Sequence, residues 1–168
     1  AIALDVVRVV TMNVAGINDL GPAGARMDAI LTKLLADGQP DVLCLQEVTD
    51  EMYDVLENRT RAAGDMREWS LHKRSHAEYP YYVVTATKLP KREGERTTSK
   101  RFASQQGRHA LTVSRQGMTF INVHAESGGH QVSRDQRASQ LEYLARAQEA
   151  ADGGVCFLAG DFNLRPGE

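Results

Sequence analysis

The chain has 168 residues, 42% of them hydrophobic, with 20 Lys and Arg against 22 Asp and Glu for a net charge of −2. That suffices for one buried core, so residues 1–168 read as a single domain. The charge excludes a protein that coats nucleic acid with its whole surface, though not a local basic patch. No apolar run approaches the roughly 20 residues of a membrane span, and the first residues lack a signal-peptide pattern, so no membrane partner is expected.

In chain order, the β-branched run Val6-Val7-Arg8-Val9-Val10-Thr11-Met12 predicts a strand that runs into Asn13-Val14-Ala15-Gly16. Gly and Pro within 18–24 predict a loop, after which Met27, Ile30, Leu31, Leu34 and Leu35 recur at helical spacing. Gly38 is placed to cap that helix, and Pro40 to stop it. Val42-Leu43-Cys44-Leu45 predicts a buried strand ending in Gln46-Glu47. Thr49 suits a helix N-cap, with Asp50 and Glu51 in the positive first turn and Met52, Val55 and Leu56 as the apolar face. Trp69 to Leu71 and Tyr81 to Thr87 predict two more strands.

Between Lys88 and Arg101, six Lys and Arg stand against two Glu. This predicts a mobile basic loop or hairpin, either a solvated connection or a contact to a phosphate backbone. Arg108 to Val113 and Met118 to Val123 predict strands joined by the turn Ser114-Arg115-Gln116-Gly117. The second delivers His124-Ala125-Glu126-Ser127-Gly128-Gly129-His130, and Ser133-Arg134-Asp135-Gln136 has capping-box spacing for a helix reaching about Ala151. Val155-Cys156-Phe157-Leu158-Ala159 predicts a strand buried on both faces, followed by Gly160-Asp161-Phe162-Asn163-Leu164-Arg165. Cys44 and Cys156 lie inside apolar runs and read as buried free thiols, which suits a reducing, intracellular compartment.

Four predicted strands therefore end in polar groups: Asn13, Gln46-Glu47, His124 with Ser127, and Asp161 with Asn163. Each alone is an ordinary turn or structural residue. Together, at strand ends that should share a sheet edge, they indicate a built site. A carboxylate with few other oxygen donors suits Mg²⁺, with Mn²⁺ as the substitute ion, because such ions keep several waters. The Gly-rich loop around Ser127 and His130, before a helix N-terminus, suits an anion. Zinc-type Cys/His spacing and Gly-rich nucleotide-binding loops are absent, and no motif pairs Ser127 with a base.

Thr11-Met12-Asn13-Val14-Ala15-Gly16, Leu45-Gln46-Glu47-Val48, His124-Ala125-Glu126-Ser127 and Gly160-Asp161-Phe162-Asn163-Leu164-Arg165 stand in the order of the endonuclease/exonuclease/phosphatase superfamily. From Val6 to Arg165 the pattern is most similar to the tyrosyl-DNA phosphodiesterase 2 family within it. The resemblance implies an α/β fold, a four-layer αββα sandwich here lacking its C-terminal strands. It implies Mg²⁺-dependent hydrolysis of the 5′-phosphotyrosyl bond between DNA and a trapped topoisomerase, in DNA repair. Partners would be DNA 5′ ends, single-stranded or protein-linked. The alternatives are a general or abasic-site DNA nuclease, an inositol or lipid phosphatase, and a nonhydrolytic phosphate-binding relative.

Position by position, the resemblance implies Glu47 as metal ligand with Asn13 beside it in the metal and water network. Asp161 and Asn163 would handle the attacking water, and His124, Ser127 and Arg165 would grip phosphate oxygens. Two departures stand out. Ala15 replaces a family Asp, and the family's late Asp-His pair has no counterpart up to Glu168, so the segment by itself is expected to be a poor catalyst.

Overall fold

The computed structural model describes residues 6–18, 20–61, 64–73, 79–91, 93–94, 96–151 and 154–167. β1 (Val9–Asn13) and β2 (Val42–Val48) pair in parallel and are joined by α1 (Ala23–Asp37). After α2 (Asp50–Thr60), β3 (Ser70–Lys73) and β4 (Tyr82–Thr87) complete a sheet in the order β1-β2-β4-β3. β5 (Thr97–Arg101), β6 (His109–Arg115), β7 (Met118–His124) and β8 (Val155–Asp161) form a second sheet in that order, with α3 (Gln131–Glu149) joining the parallel pair β7 and β8.

Side-chain alternation along the strands explains why the sheets stack. Leu43 and Leu45 of β2 face Met27 and Leu31 of α1 and Met52 and Leu56 of α2. Val42 and Cys44, between them, face the second sheet at Phe120, with Phe157 packed alongside. The Phe120 and Phe157 rings stack with centroids 5.1 Å apart. On the outer face of the second sheet, Leu144 of α3 covers Ala110, Ile121 and Val123. Each such fully buried aliphatic or aromatic side chain contributes about 1.5–3 kcal/mol. The result is the αββα layering that the resemblance implies.

One polar cross-tie runs through the apolar space between the sheets. Gln46 Nε2 donates to Asn122 Oδ1 at 2.8 Å, and Asn122 Nδ2 donates to the Val84 carbonyl at 2.9 Å. Both residues are buried, so leaving either amide unpaired would be costly, and the pair fixes how the sheets slide on each other.

Most expected elements form, with four differences. β8 is only partly buried, because it is an edge strand whose far side is unpaired among the described residues. An apolar run shows that a strand is greasy but not how many neighbours it has. α3 starts at Gln131 with His130 as N-cap, one turn ahead of the capping-box spacing, and Ser133 lies inside the helix. The second half of the basic segment is ordered as β5, paired antiparallel with β6, while Arg92 and Glu95 fall outside the described residues. Of the two free thiols only Cys44 is fully buried, its pKa pushed up to about 12 by burial; Cys156 is partly exposed. Thr49 caps α2 as expected, its Oγ accepting from Met52 N–H, and Gly38 caps α1. No helix among the described residues is long and apolar enough to cross a membrane.

At the edge opposite β1 and β8, His72 of β3 reaches the second sheet. Its Nε2 meets Arg115 Nη2 at 3.0 Å and its Nδ1 meets Thr97 Oγ1 at 2.9 Å. The guanidinium can only donate, so Nε2 accepts, and Nδ1 carries the hydrogen donated to Thr97. Burial, then the charges of Arg115 and Lys91, push the His72 pKa down to about 4. A histidine depressed in the folded state below its ordinary value of about 6.5 binds its proton more tightly when unfolded. Its stabilising effect is therefore full above about pH 6.5 and is lost as pH falls toward 4. Urea unfolding across that window should show a steeper loss of stability in the wild type than in His72→Ala; parallel profiles would mean that His72 does not tie the sheets together at this edge.

Candidate active site

The cleft lies where β1, β2, β7 and β8 end. A bulge in β2 builds one wall: Leu45 pairs with Val84 and Val48 with Tyr82, so Gln46 and Glu47 together oppose Val83. Such a bulge re-aims side chains. Gln46 enters the inter-sheet space, whereas Glu47, at φ 58, turns to the cleft. On the facing sheet, register sets His124 of β7 directly beside Asp161 of β8. Gly160 makes that approach feasible: its φ is +146, and a Cβ there would lie 2.0 Å from the Val123 carbonyl oxygen.

Asn13 joins the two walls. Its Nδ2 donates to Glu47 Oε1 at 3.0 Å and to Asp161 Oδ2 at 2.9 Å. Its Oδ1 accepts from Ala15 N–H at 2.9 Å, which fixes the orientation of the amide. The amide oxygen thus accepts from the backbone, and the nitrogen donates to both carboxylates, which lowers the cost of holding them close. Ala15 serves through its backbone, in a left-handed conformation at φ 52, so the turn forms without the family carboxylate.

His124 Nε2 lies 3.7 Å from both Glu47 Oε1 and Asp161 Oδ2. Arg108 Nη1 approaches Nδ1 and Nε2 of the same ring at 2.6 and 2.7 Å. A neutral imidazole has one acceptor; assigning it to Nδ1 leaves Nε2–H facing the carboxylates. Burial, reinforced by Arg108 and only partly opposed by Asp161, pushes the His124 pKa down to about 3, so the ring is neutral near pH 7. Arg108 is buried too, which lowers its pKa, while Tyr81, Glu126, Glu47 and Asp161 counter that. Its guanidinium also donates to Gln106 Oε1 at 2.6 Å and to Ser127 Oγ at 3.3 Å, and lies 5.8 Å from the Tyr81 ring centroid.

Asn163 stays close: its N–H donates to Asp161 Oδ1 at 3.0 Å and its Nδ2 to the Ala125 carbonyl at 3.0 Å. Ser127 Oγ donates to Gln106 Oε1 at 2.7 Å. The Arg165 guanidinium lies over Gly129, its Nη1 2.6 Å from where a Cβ would stand. His130 is the expected site residue left out. It is exposed at the head of α3, and no hydrogen bond or ion pair ties it to the site among the described residues. The helix starts earlier than the sequence spacing indicates, which turns His130 from a pocket residue into a cap position. Conversely, Arg108, Gln106 and Tyr81 are site residues that sequence reading passed over. The available signal was a charged residue at the mouth of an apolar strand, immediately after Gly107.

Among the described residues, one buried oxygen of the site has no protein partner. Glu47 Oε2 is buried and accepts no hydrogen bond in the structure. Among the described residues no group of three or more His, Cys, Asp and Glu forms a complete metal cage. A buried, unsatisfied carboxylate oxygen with a second carboxylate nearby fits a hard divalent ion bound through one or two carboxylates plus waters. Glu47 is the residue here that could hold one.

Two stacked four-stranded sheets, with carboxylates, amides, an imidazole and a guanidinium gathered at their strand ends, are the fold and the site that this chain presents. The sequence profile described as the Endonuclease/Exonuclease/phosphatase family matches residues 10–168, and the chain belongs to that family. Among solved structures it is similar to TDP2 from C. elegans, with TM-score 0.73 and 23% identity over 95% of this chain and 48% of that one. TDP2 from D. rerio, complexed with single-strand DNA product, matches with TM-score 0.75 and 22% identity over 95% of this chain and 61% of that one. The 3′ phosphatase NExo from Neisseria, bound to a product DNA hairpin, matches at TM-score 0.65 and 19% identity over 97% and 60%. At these identities the likeness establishes the fold. The chain spans about half the length of the C. elegans structure. No curated protein sequence matches.

Asn13→Ala should destabilise the protein, measured without metal at pH 7, by about 1–3 kcal/mol, because it leaves two neighbouring carboxylates without their shared donor. An unchanged urea midpoint would mean that Asn13 does not hold them.

Proposed function

We propose that this cleft hydrolyses a phosphodiester with a phenolate leaving group, namely the 5′-phosphotyrosyl bond that links a trapped topoisomerase to a DNA end, in DNA repair. The observation that carries the reading is the buried, unpartnered Glu47 Oε2 beside the Asn13-bridged Asp161. Mg²⁺ at Glu47, when bound, would neutralise phosphate charge and polarise the phosphoryl centre.

The chain's own groups fit the remaining tasks. Asp161 Oδ1 and Oδ2 are held by Asn163 and Asn13, so the carboxylate is aimed and can accept a proton from an attacking water. Neutral His124 offers an N–H and Arg108 a guanidinium beside it, while Ser127, on giving up its bond to Gln106, and Arg165, over Gly129, would add donors to a phosphoryl group held there. His124 and Arg108 are buried, and donors so placed gain strength from exclusion of water. Tyrosine, with an ordinary pKa of about 10, leaves without a strong general acid.

A DNA ligand is supported by the printed partners of two neighbours, single-strand DNA product for D. rerio TDP2 and a DNA hairpin for NExo. Within this chain, β5 is exposed along its length, and its register carries Arg101 to His109, next to His124. A basic strand that ends at the site offers a track for a phosphate backbone.

A 5′-tyrosyl oligonucleotide with Mg²⁺ should give free tyrosine and a 5′-phosphate, and EDTA should stop it. Cleavage of abasic or 3′-phosphorylated DNA in its place would move the reading to a general nuclease. Binding without turnover of any of these, or of phosphoinositides, would leave a nonhydrolytic phosphate-binding protein. Asp161→Asn should cut turnover by about 100-fold or more with the melting temperature retained; a near wild-type rate would take Asp161 out of the chemistry. Glu47→Gln should raise the Mg²⁺ or Mn²⁺ concentration needed for half-saturation by at least about 10-fold, read by calorimetric titration as well as by rate.

A further inference from the structure

Glu126 has no part in the chemistry proposed above, yet it is only 2% exposed and sits between two residues that line the cleft. A buried carboxylate requires donors. Its Oε2 accepts a hydrogen bond from Ser104 Oγ. The same hydroxyl oxygen accepts from the N–H of Gln106 at 2.9 Å and of Arg108 at 3.4 Å. One hydroxyl therefore closes the turn 104–108 on itself and ties it to the segment that follows β7. Glu126 is anchored in turn through its backbone: its N–H donates to Gln140 Oε1 at 2.8 Å, and its carbonyl accepts from Arg137 Nη1 at 2.8 Å. Gln140 and Arg137 are buried residues of α3, so the anchor reaches the outer helical layer.

The other flank of the turn is held as well. Tyr79 and Tyr81 donate their hydroxyls to the carbonyls of Gln105 and Gln106, at 2.9 and 2.8 Å. Gly107 sits between at φ +65, and a Cβ there would lie 2.0 Å from the Tyr79 ring. Held on both sides, this turn carries Gln106 and Arg108, which touch Ser127 and His124. A guanidinium so placed needs no reorganisation when charge develops beside it, which is where preorganised donors gain their effect.

We propose that Glu126 is a positioning residue: through Ser104 it locks the 104–108 turn, so that Arg108 and Gln106 stand preassembled around His124 and Ser127. A carboxylate suits this task because its hydrogen bonds are charge-assisted and short. The proposal rests on the reading of the cleft as a phosphodiesterase site, so the test has one arm that needs no turnover.

That arm is amide hydrogen exchange on the metal-free protein. Ser104→Ala should speed exchange at Gln106 and Arg108 by about 10-fold or more, with β6 and β7 unchanged, since those amides lose their acceptor. The second arm is Mg²⁺-dependent hydrolysis of thymidine 5′-(p-nitrophenyl phosphate). Ser104→Ala should lower kcat by about 10- to 100-fold with KM within about twofold. In an Arg108→Ala background the same substitution should change kcat by less than about twofold, because its effect travels through Arg108. Glu126→Gln keeps an acceptor oxygen for Ser104 and should retain slow exchange and most of kcat, whereas Glu126→Ala leaves Ser104 Oγ as the amides' acceptor but untethers it, and should speed their exchange and lower kcat in the same direction as Ser104→Ala by a smaller factor.

Unchanged exchange at Gln106 and Arg108 in Glu126→Ala would overturn the proposal. An equal loss of kcat in both backgrounds would do the same, as it would mark general structural damage. If the wild type hydrolyses no phosphodiester, the functional reading fails, and exchange alone decides the clamp.

Discussion

Gln46 and Glu47 stand opposite a single residue of β4, and much of the molecule depends on that extra residue. Without the bulge, strict alternation would send these neighbours to opposite faces of a flat strand. With it, Gln46 points between the sheets to bind Asn122, and Glu47 turns over the strand end into the cleft. The same irregularity thus sets how the two sheets register and where the Glu47 carboxylate stands. The amide pair is fully enclosed, so any slip of one sheet over the other would leave buried donors and acceptors unmade.

The cleft balances charge tightly. Glu47 and Asp161 are brought together by one amide donor, Asn13, which serves both. A charged imidazole could have offset their repulsion, but His124 is buried against Arg108 and stays neutral, leaving the positive charge on the guanidinium. The result is a permanent cation beside a neutral imidazole, facing two carboxylates of which only Glu47 keeps a buried oxygen without a hydrogen bond. The buried Glu47 Oε2 is the point at which the protein by itself leaves the balance unfinished.

Local chemistry explains why much of this was legible in advance. Asn13, Glu47, His124, Asp161 and Asn163 each follow an apolar run, and the end of such a run can be read from a few residues. Thr49 and Gly38 were legible for the same reason, since a cap acts within one turn of its helix. His130 was misplaced because Ser133 offered equally good capping chemistry one turn later, and only packing of α3 on the second sheet decides between them. The edge position of β8 was hidden because hydrophobicity does not count strand neighbours.

The sequence alone determined most of the strands and helices, the family pattern and most of the polar groups that would meet, because all of these depend on nearest neighbours in the chain. Tertiary structure alone decided what those groups do to one another. Asn13 bridges Glu47 and Asp161, partners 34 and 148 positions away. Arg108 reaches His124 across paired strands, and Glu126 reaches Ser104 across 22 positions. Which atom of an amide faces a carboxylate, and whether a buried arginine lies in a core or a cleft, are set by contacts whose geometry exists only once both sheets have formed.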